Sequence, residues 1–134
     1  DYAVALEASL KLKEISYIHS EAYAAGELKH GTISLIEEGT FVVALACCEK
    51  LIEKTMSNIK EVKARGAEVL VLTTDDNRDV LPEADHVLYI PKTNDLLMPS
   101  LEVVPMQLLG YYIALARKCD IDKPRNLAKS VTVE

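Results

Sequence analysis

Two short apolar runs constrain this chain most: Phe41-Val-Val-Ala-Leu-Ala46 and Glu68-Val-Leu-Val-Leu-Thr-Thr74. Continuous apolar runs of this length suit strands covered on both faces. Between them Leu51, Ile52, Met56, Ile59 and Val62 recur with helical spacing from Glu49 to Arg65, and Gly66 is placed to end that helix at C′. Strand, helix and strand of these lengths form a βαβ unit, which requires parallel strands and a right-handed crossover. His86-Val-Leu-Tyr-Ile90 reads as a third strand, stopped by Pro91.

The flanks complete the expectation. Residues 2–25 read as one opening helix ended by Gly26, and 27–38 as a turn with a short helix around Ile33–Ile36 before Gly39. Asp75 to Asp85 is polar and contains a proline, hence a loop. Residues 98–118 form a long apolar helix with Pro99 in its first turn; Pro105 kinks it or marks a later start. Residues 120–134 are a polar tail. The expected fold is α/β: a three-layer sandwich with a small parallel sheet and long N-terminal and C-terminal helices.

The 134 residues make one domain, long enough to bury a core. A net charge of −6, no Lys/Arg run and few aromatics beyond tyrosine argue against a nucleic-acid surface. An acidic chain that handles an anionic substrate must focus positive charge locally. No apolar stretch reaches about 18 residues, so no membrane span is expected. Cys47, Cys48 and Cys119 have neither metal spacing nor a disulfide framework, and with no signal peptide they suggest the cytoplasm.

On a helical wheel of about 100° per residue, Ala3, Val4, Leu6, Leu10, Ile15, Tyr17, Ile18, Ala22 and Ala25 fill one apolar arc, while Ser9, Ser16 and Ser20 fall opposite. Glu14 projects from the middle of that arc, with Lys11 one turn before it and close enough to pair. A carboxylate there is paired or raised in pKa, and a tuned carboxylate is what proton transfer uses. Glu7 and Glu21 lie on the same side, so on spacing alone a half-wet structural groove is the favoured account of the pattern. His19 reads as packing or surface, and Asp75 and Asp76 as turn formers at a strand's carboxyl end. No Ser-His-Asp triad, Walker loop or Gly-rich dinucleotide loop is present, and no cofactor is implied.

Lys11-Leu-Lys-Glu-Ile-Ser-Tyr-Ile-His19 and Glu27-Leu-Lys-His-Gly31, with Lys123-Pro-Arg-Asn-Leu-Ala-Lys-Ser-Val-Thr-Val-Glu134 at the other end, resemble the second SIS (sugar isomerase) subdomain of the glutamine:fructose-6-phosphate aminotransferase family. The resemblance implies an SIS-type, flavodoxin-like fold and a single subdomain over 1–134, with 120–134 an active-site tail. It also implies conversion of fructose 6-phosphate and glutamine-derived ammonia to glucosamine 6-phosphate. By the same resemblance Glu14 moves a proton between C1 and C2, Lys11 assists it, His30 opens the sugar ring, Lys129 forms an imine with the ketose and the backbone of Ala128 contacts the sugar. His30 would then reach the substrate of a neighbouring subunit, which requires a homodimer. Thr32 stands where some members have proline, a change the turn tolerates.

The Ser/Thr-rich phosphate loop of the family's first SIS subdomain has no counterpart here, and the family's glutaminase domain begins with a nucleophilic cysteine whereas this chain begins with Asp1. The chain resembles roughly the last fifth of the enzyme, so it is expected to be inactive alone, its partners being the first SIS subdomain and the glutaminase domain. Two alternatives stay open: a phosphosugar aldose–ketose isomerase that uses Glu14 and His30 without an imine, and a non-catalytic SIS module for phosphosugar binding or dimerisation. Lys129 in its tail motif separates the first from the preferred reading.

Overall fold

Strands form where the apolar runs lie. The computed structural model describes residues 1–78, 83–125 and 127. β1 (Phe41–Ala46), β2 (Glu68–Thr74) and β3 (His86–Ile90) pair in the order β1-β2-β3, parallel throughout, with Val43 opposite Leu70 and Leu72 opposite Leu88. α1 (Tyr2–Lys11), α2 (Ile52–Lys63) and α3 (Met98–Ala116) cover the two faces.

Strand alternation sorts the core. Val69 and Val71 pack with Met56, Ile59 and Val62 of α2. Leu72, one residue out of phase, packs with Val4 of α1 and with Met98 and Met106 of α3. Each such side chain contributes about 1.5–3 kcal/mol on full burial. The result is a three-layer α/β sandwich, as expected. Only central β2 is covered on both faces. β1 is half-buried along most of its length, and Leu88 and Tyr89 of β3 are exposed.

The helix around 49–65 opens as a 3-10 turn, Glu49–Leu51, and continues as α2 to its C-cap Ala64. Gly66 sits just beyond with φ 88°, one position later than expected. α3 runs unbroken through Pro105, so the helix does not start there; the cost is one missing bond to the carbonyl of Leu101.

The opening helix is the largest correction. α1 ends at Lys11, a π turn follows over Leu12–Ser16, and Tyr17 takes a left-handed conformation, φ 58° and ψ 27°. Residues 17–24 are not helical, and Gly26 lies inside a 3-10 turn, Ala25–His30, followed by another at Thr32–Leu35. Serine chemistry explains the stop. Ser16 Oγ donates to the Leu12 carbonyl at 2.6 Å, and Ser9 Oγ donates to the Ser20 carbonyl at 2.9 Å. In a continuous helix residues 9 and 20 would be about 16 Å apart. The apolar arc is also misplaced: Ser9 and Ser16 are buried, while Leu6 and Leu10 point outward.

Candidate active site

Glu14 sits in the π turn. Widened turns of this kind recur at functional sites because they swing a side chain out of the regular helical row. Lys11 Nζ lies 2.7 Å from Glu14 Oε2 and 3.5 Å from Glu7 Oε1. The hydrogen bond to Glu14 raises the Lys11 pKa above its ordinary value, against a smaller opposing effect of burial. Lys11 therefore stays an ammonium beside a carboxylate. Their side chains are 32% and 27% exposed, so a substrate can reach them. A fixed carboxylate open to solvent on one side can take up and return a proton.

The turn is held from α3. A Cβ on Gly110 would lie 3.6 Å from both Lys11 Cβ and Ile15 Cδ1, ordinary contact distance, so the two segments lie close, with room for a methyl group and little more. Arg117 Nε donates to the Ser16 carbonyl at 3.0 Å, satisfying an acceptor at the end of the turn. Tyr17 Oη accepts from the Arg125 backbone N at 2.8 Å, and the Arg125 guanidinium lies 4.2 Å from the Tyr17 ring centroid. The root of the tail thus rests three residues from Glu14. Ala128 and Lys129 lie outside the described residues.

His30 is elsewhere. Its 3-10 turn packs through Leu28 onto the core under α2. His30 is exposed and has no hydrogen-bond partner among the described residues. Glu14 belongs to the α1/α3 layer and His30 to the α2 layer, so the chain does not bring them together. An open groove of about 800 Å³ beside β1, lined in part by Tyr2, Val43, Leu45, Lys54 and Met98, contains neither.

The carboxyl ends of the strands are tied up structurally. Lys92 bridges Asp76 at 2.7 Å and Glu49 at 2.9 Å, and Thr74 Oγ1 donates to Asp76 at 2.6 Å. Asp76 is held below the ordinary carboxylate range, first by Lys92 and then by Thr74. Burial and then the nearby Glu102 push the Cys47 thiol up to about 12, which removes it as a nucleophile near neutrality. His86 pairs with Glu68 at 2.8 Å, and His19 is 84% exposed. Tyr17, Arg117, Gly110 and Arg125 were not apparent as site residues in the sequence. Tyr17 and Arg125 do lie inside the motifs that carry the resemblance, but the wheel assigned Tyr17 to packing.

The sequence profile of the SIS domain matches residues 1–117. The chain belongs to the SIS domain family. This SIS domain is 61% identical over all its 134 residues to the glutamine–fructose-6-phosphate aminotransferase [isomerizing] of Clostridium tetani, of which it spans 22%. It therefore covers about a fifth of the length of the curated relatives it matches. Among solved structures, 91% of this SIS domain superimposes on 34% of the C-terminal domain of glucosamine-fructose-6-phosphate aminotransferase from Francisella tularensis, at TM-score 0.86 and 38% identity. A glucosamine-6-phosphate deaminase structure from Thermotoga maritima matches 97% of the chain with 37% of its own length, at TM-score 0.75 and 34% identity. Among the described residues no helix is long and apolar enough to cross a membrane, and no group of three His, Cys, Asp or Glu side chains is placed to hold a metal.

Proposed function

We propose that this SIS domain is the C-terminal part of the isomerase half of a cytoplasmic glutamine:fructose-6-phosphate aminotransferase, with residues 120–134 as its active-site tail. The observation that carries the reading is the Lys11–Glu14 pair at 2.7 Å on a π turn, beside the root of the tail. The 61% identity to an enzyme of that name supports it.

The chemistry follows from the residue types. His30 of a second copy opens the ring of fructose 6-phosphate, a role that suits a group titrating near neutrality. The Lys129 amine adds to the C2 ketone and water leaves, forming an imine. Ammonia then displaces Lys129, so the nitrogen stays on the sugar and the lysine is regenerated. Glu14 takes a proton from C1 and returns one to C2, and Lys11 steadies the carboxylate between the two transfers. The backbone of Ala128 contacts the sugar. A first SIS subdomain binds the phosphate and a glutaminase domain supplies ammonia, so the fragment alone makes no glucosamine 6-phosphate. Leu6, Leu10, Val104, Leu108 and Tyr112 are exposed, apolar surface that suits burial within the larger homodimer.

The test is borohydride trapping of the full-length protein with fructose 6-phosphate, followed by peptide mapping. A hexitol-phosphate adduct on Lys129 is expected. Glutamine-dependent turnover without any adduct would refute the imine. Aldose–ketose interconversion that ignores glutamine would point to a plain isomerase, and ammonia release from glucosamine 6-phosphate as the sole activity would point to a deaminase like the Thermotoga relative. Binding of the sugar phosphate without turnover would leave a non-catalytic module.

A further inference from the structure

We infer that Tyr17 is a positioning residue that docks the root of the tail, and so brings Lys129 to the substrate held beside Glu14. The inference rests on the proposed role of Lys129 as the imine-forming amine. Tyr17 has φ 58°, a conformation in which residues with side chains are uncommon. Such outliers persist where surrounding contacts hold them, and they concentrate at functional sites. Two contacts hold this one, both with Arg125, which is 108 residues away in sequence. The phenol accepts the Arg125 main-chain N–H at 2.8 Å, so it fixes the backbone itself and not only a side chain. The ring also lies under the Arg125 guanidinium at 4.2 Å.

The preceding residue repeats the arrangement. The Ser16 carbonyl accepts from Arg117 Nε at 3.0 Å. The segment from 117 to 125 is thus pinned at both ends to consecutive residues, Ser16 and Tyr17. Between the pins, Asp120 Oδ1 accepts from the backbone N of Asp122 at 3.1 Å and of Lys123 at 2.9 Å, folding the segment on itself. Four residues of chain span at most about 14 Å, so an anchored Arg125 confines Lys129 to that radius. Confinement of a nucleophile near its target raises its effective concentration, an effect on rate more than on ground-state binding.

The experiment uses the full-length protein with saturating fructose 6-phosphate and follows the rate at which the borohydride-trapped adduct forms on the Lys129 peptide. Tyr17→Asn keeps a residue that tolerates the left-handed backbone and removes both contacts. Tyr17→Phe removes only the hydrogen bond. Arg125→Met removes only the stacking, at an exposed position. Adduct formation and kcat should fall about tenfold or more in Tyr17→Asn and less in the other two, with KM within about twofold of wild type. The wild-type rate in a folded Tyr17→Asn, or in both milder variants should Tyr17→Asn fail to fold, would overturn the inference alone. A KM rise with kcat unchanged would also overturn it, since Tyr17 would then serve binding. Absence of any adduct in the wild type would overturn the proposed function and this inference with it.

Discussion

Glu102 offers the sharpest test of the packing. α3 presents Met98, Glu102, Met106, Gly110 and Ala114 as one buried stripe at four-residue spacing, and a carboxylate stands where an aliphatic side chain is expected. Glu102 is 0% exposed, and among the described residues neither carboxylate oxygen has a hydrogen-bond partner. The nearby Cys47 thiol is directed instead at the Leu72 carbonyl, 3.7 Å away. Burial raises the Glu102 pKa above the ordinary carboxylate value of 4.5, against smaller opposing effects of the Asp1 ammonium and then the Cys47 thiol. In the folded state the group therefore binds its proton more tightly than in the unfolded state. Its contribution is least unfavourable below the unfolded pKa, and stability is lost as pH rises from there toward the folded pKa, by up to about 1.4 kcal/mol per pH unit. Glu102→Leu removes both the ionisation and an unsatisfied polar group that costs about 1–3 kcal/mol. A gain of about 2 kcal/mol at pH 8 is expected, or roughly 6–10 °C in Tm for a domain of this size. Glu102→Gln stays polar and unpartnered but cannot ionise, so it should match wild type near pH 4 and exceed it at pH 8. Denaturant titrations of the three chains from pH 4 to 8 check this, and other titrating groups cancel in the differences. A Glu102→Leu chain no more stable than wild type at pH 8 would show that the carboxyl has a partner and would refute the reasoning.

Two glycines make further predictions of opposite sign. At Gly66, φ is 88° and an added Cβ would lie 2.9 Å from Glu38 Cα, backbone that cannot swing aside, so Gly66→Ala should destabilise by about 2–4 kcal/mol in denaturant unfolding. At Gly110 the added Cβ meets Ile15 Cδ1 and Lys11 Cβ at an ordinary 3.6 Å inside a helix, so Gly110→Ala should stabilise by about 0.5–1 kcal/mol in the same assay. Gly110→Leu should instead push Lys11 and Ile15 away from α3 and lower kcat in the full-length enzyme.

The sheet was legible because β2 buries both faces, and a run such as Val69–Leu72 has few other solutions. The βαβ unit followed from length, and the glycine after α2 from chain reversal. The opening segment misled for a definite reason. Helical periodicity assigns bulky apolar residues to the inside, yet Leu6 and Leu10 face outward here and Ser9 and Ser16 face in. The serine hydroxyls bond main-chain carbonyls of Leu12 and Ser20 that a straight helix would have used internally. The chain is about a fifth as long as the relatives it matches, and bulky apolar side chains lie on its surface as well as in its core. The Lys11–Glu14 pair was legible because both ends lie on one local turn, whereas the Tyr17–Arg125 contact joins distant segments and no spacing rule reaches it.

Placement of Glu14 and His30 bears on how many chains one reaction requires. Asp1 Oδ2 accepts from the Cys48 backbone N at 3.2 Å, so α1 begins at the carboxyl end of β1. Thirteen residues of helix carry Glu14 about 20 Å from there. His30 lies across the sheet, in the layer of α2. If both act on one substrate, the sheet separates them within a chain, and the histidine must come from another copy. Mixing two inactive variants decides the matter. If the full-length protein is the proposed homodimer with shared sites, half of the dimers re-formed from Glu14→Gln and His30→Ala proteins are mixed, and each mixed dimer holds one site with an intact Glu14 from one chain and an intact His30 from the other. Activity should therefore recover to about a quarter of wild type. A mixture as inactive as its components would mean that Glu14 and His30 of the same chain serve one site, and that the two layers close on each other in a way this architecture does not provide.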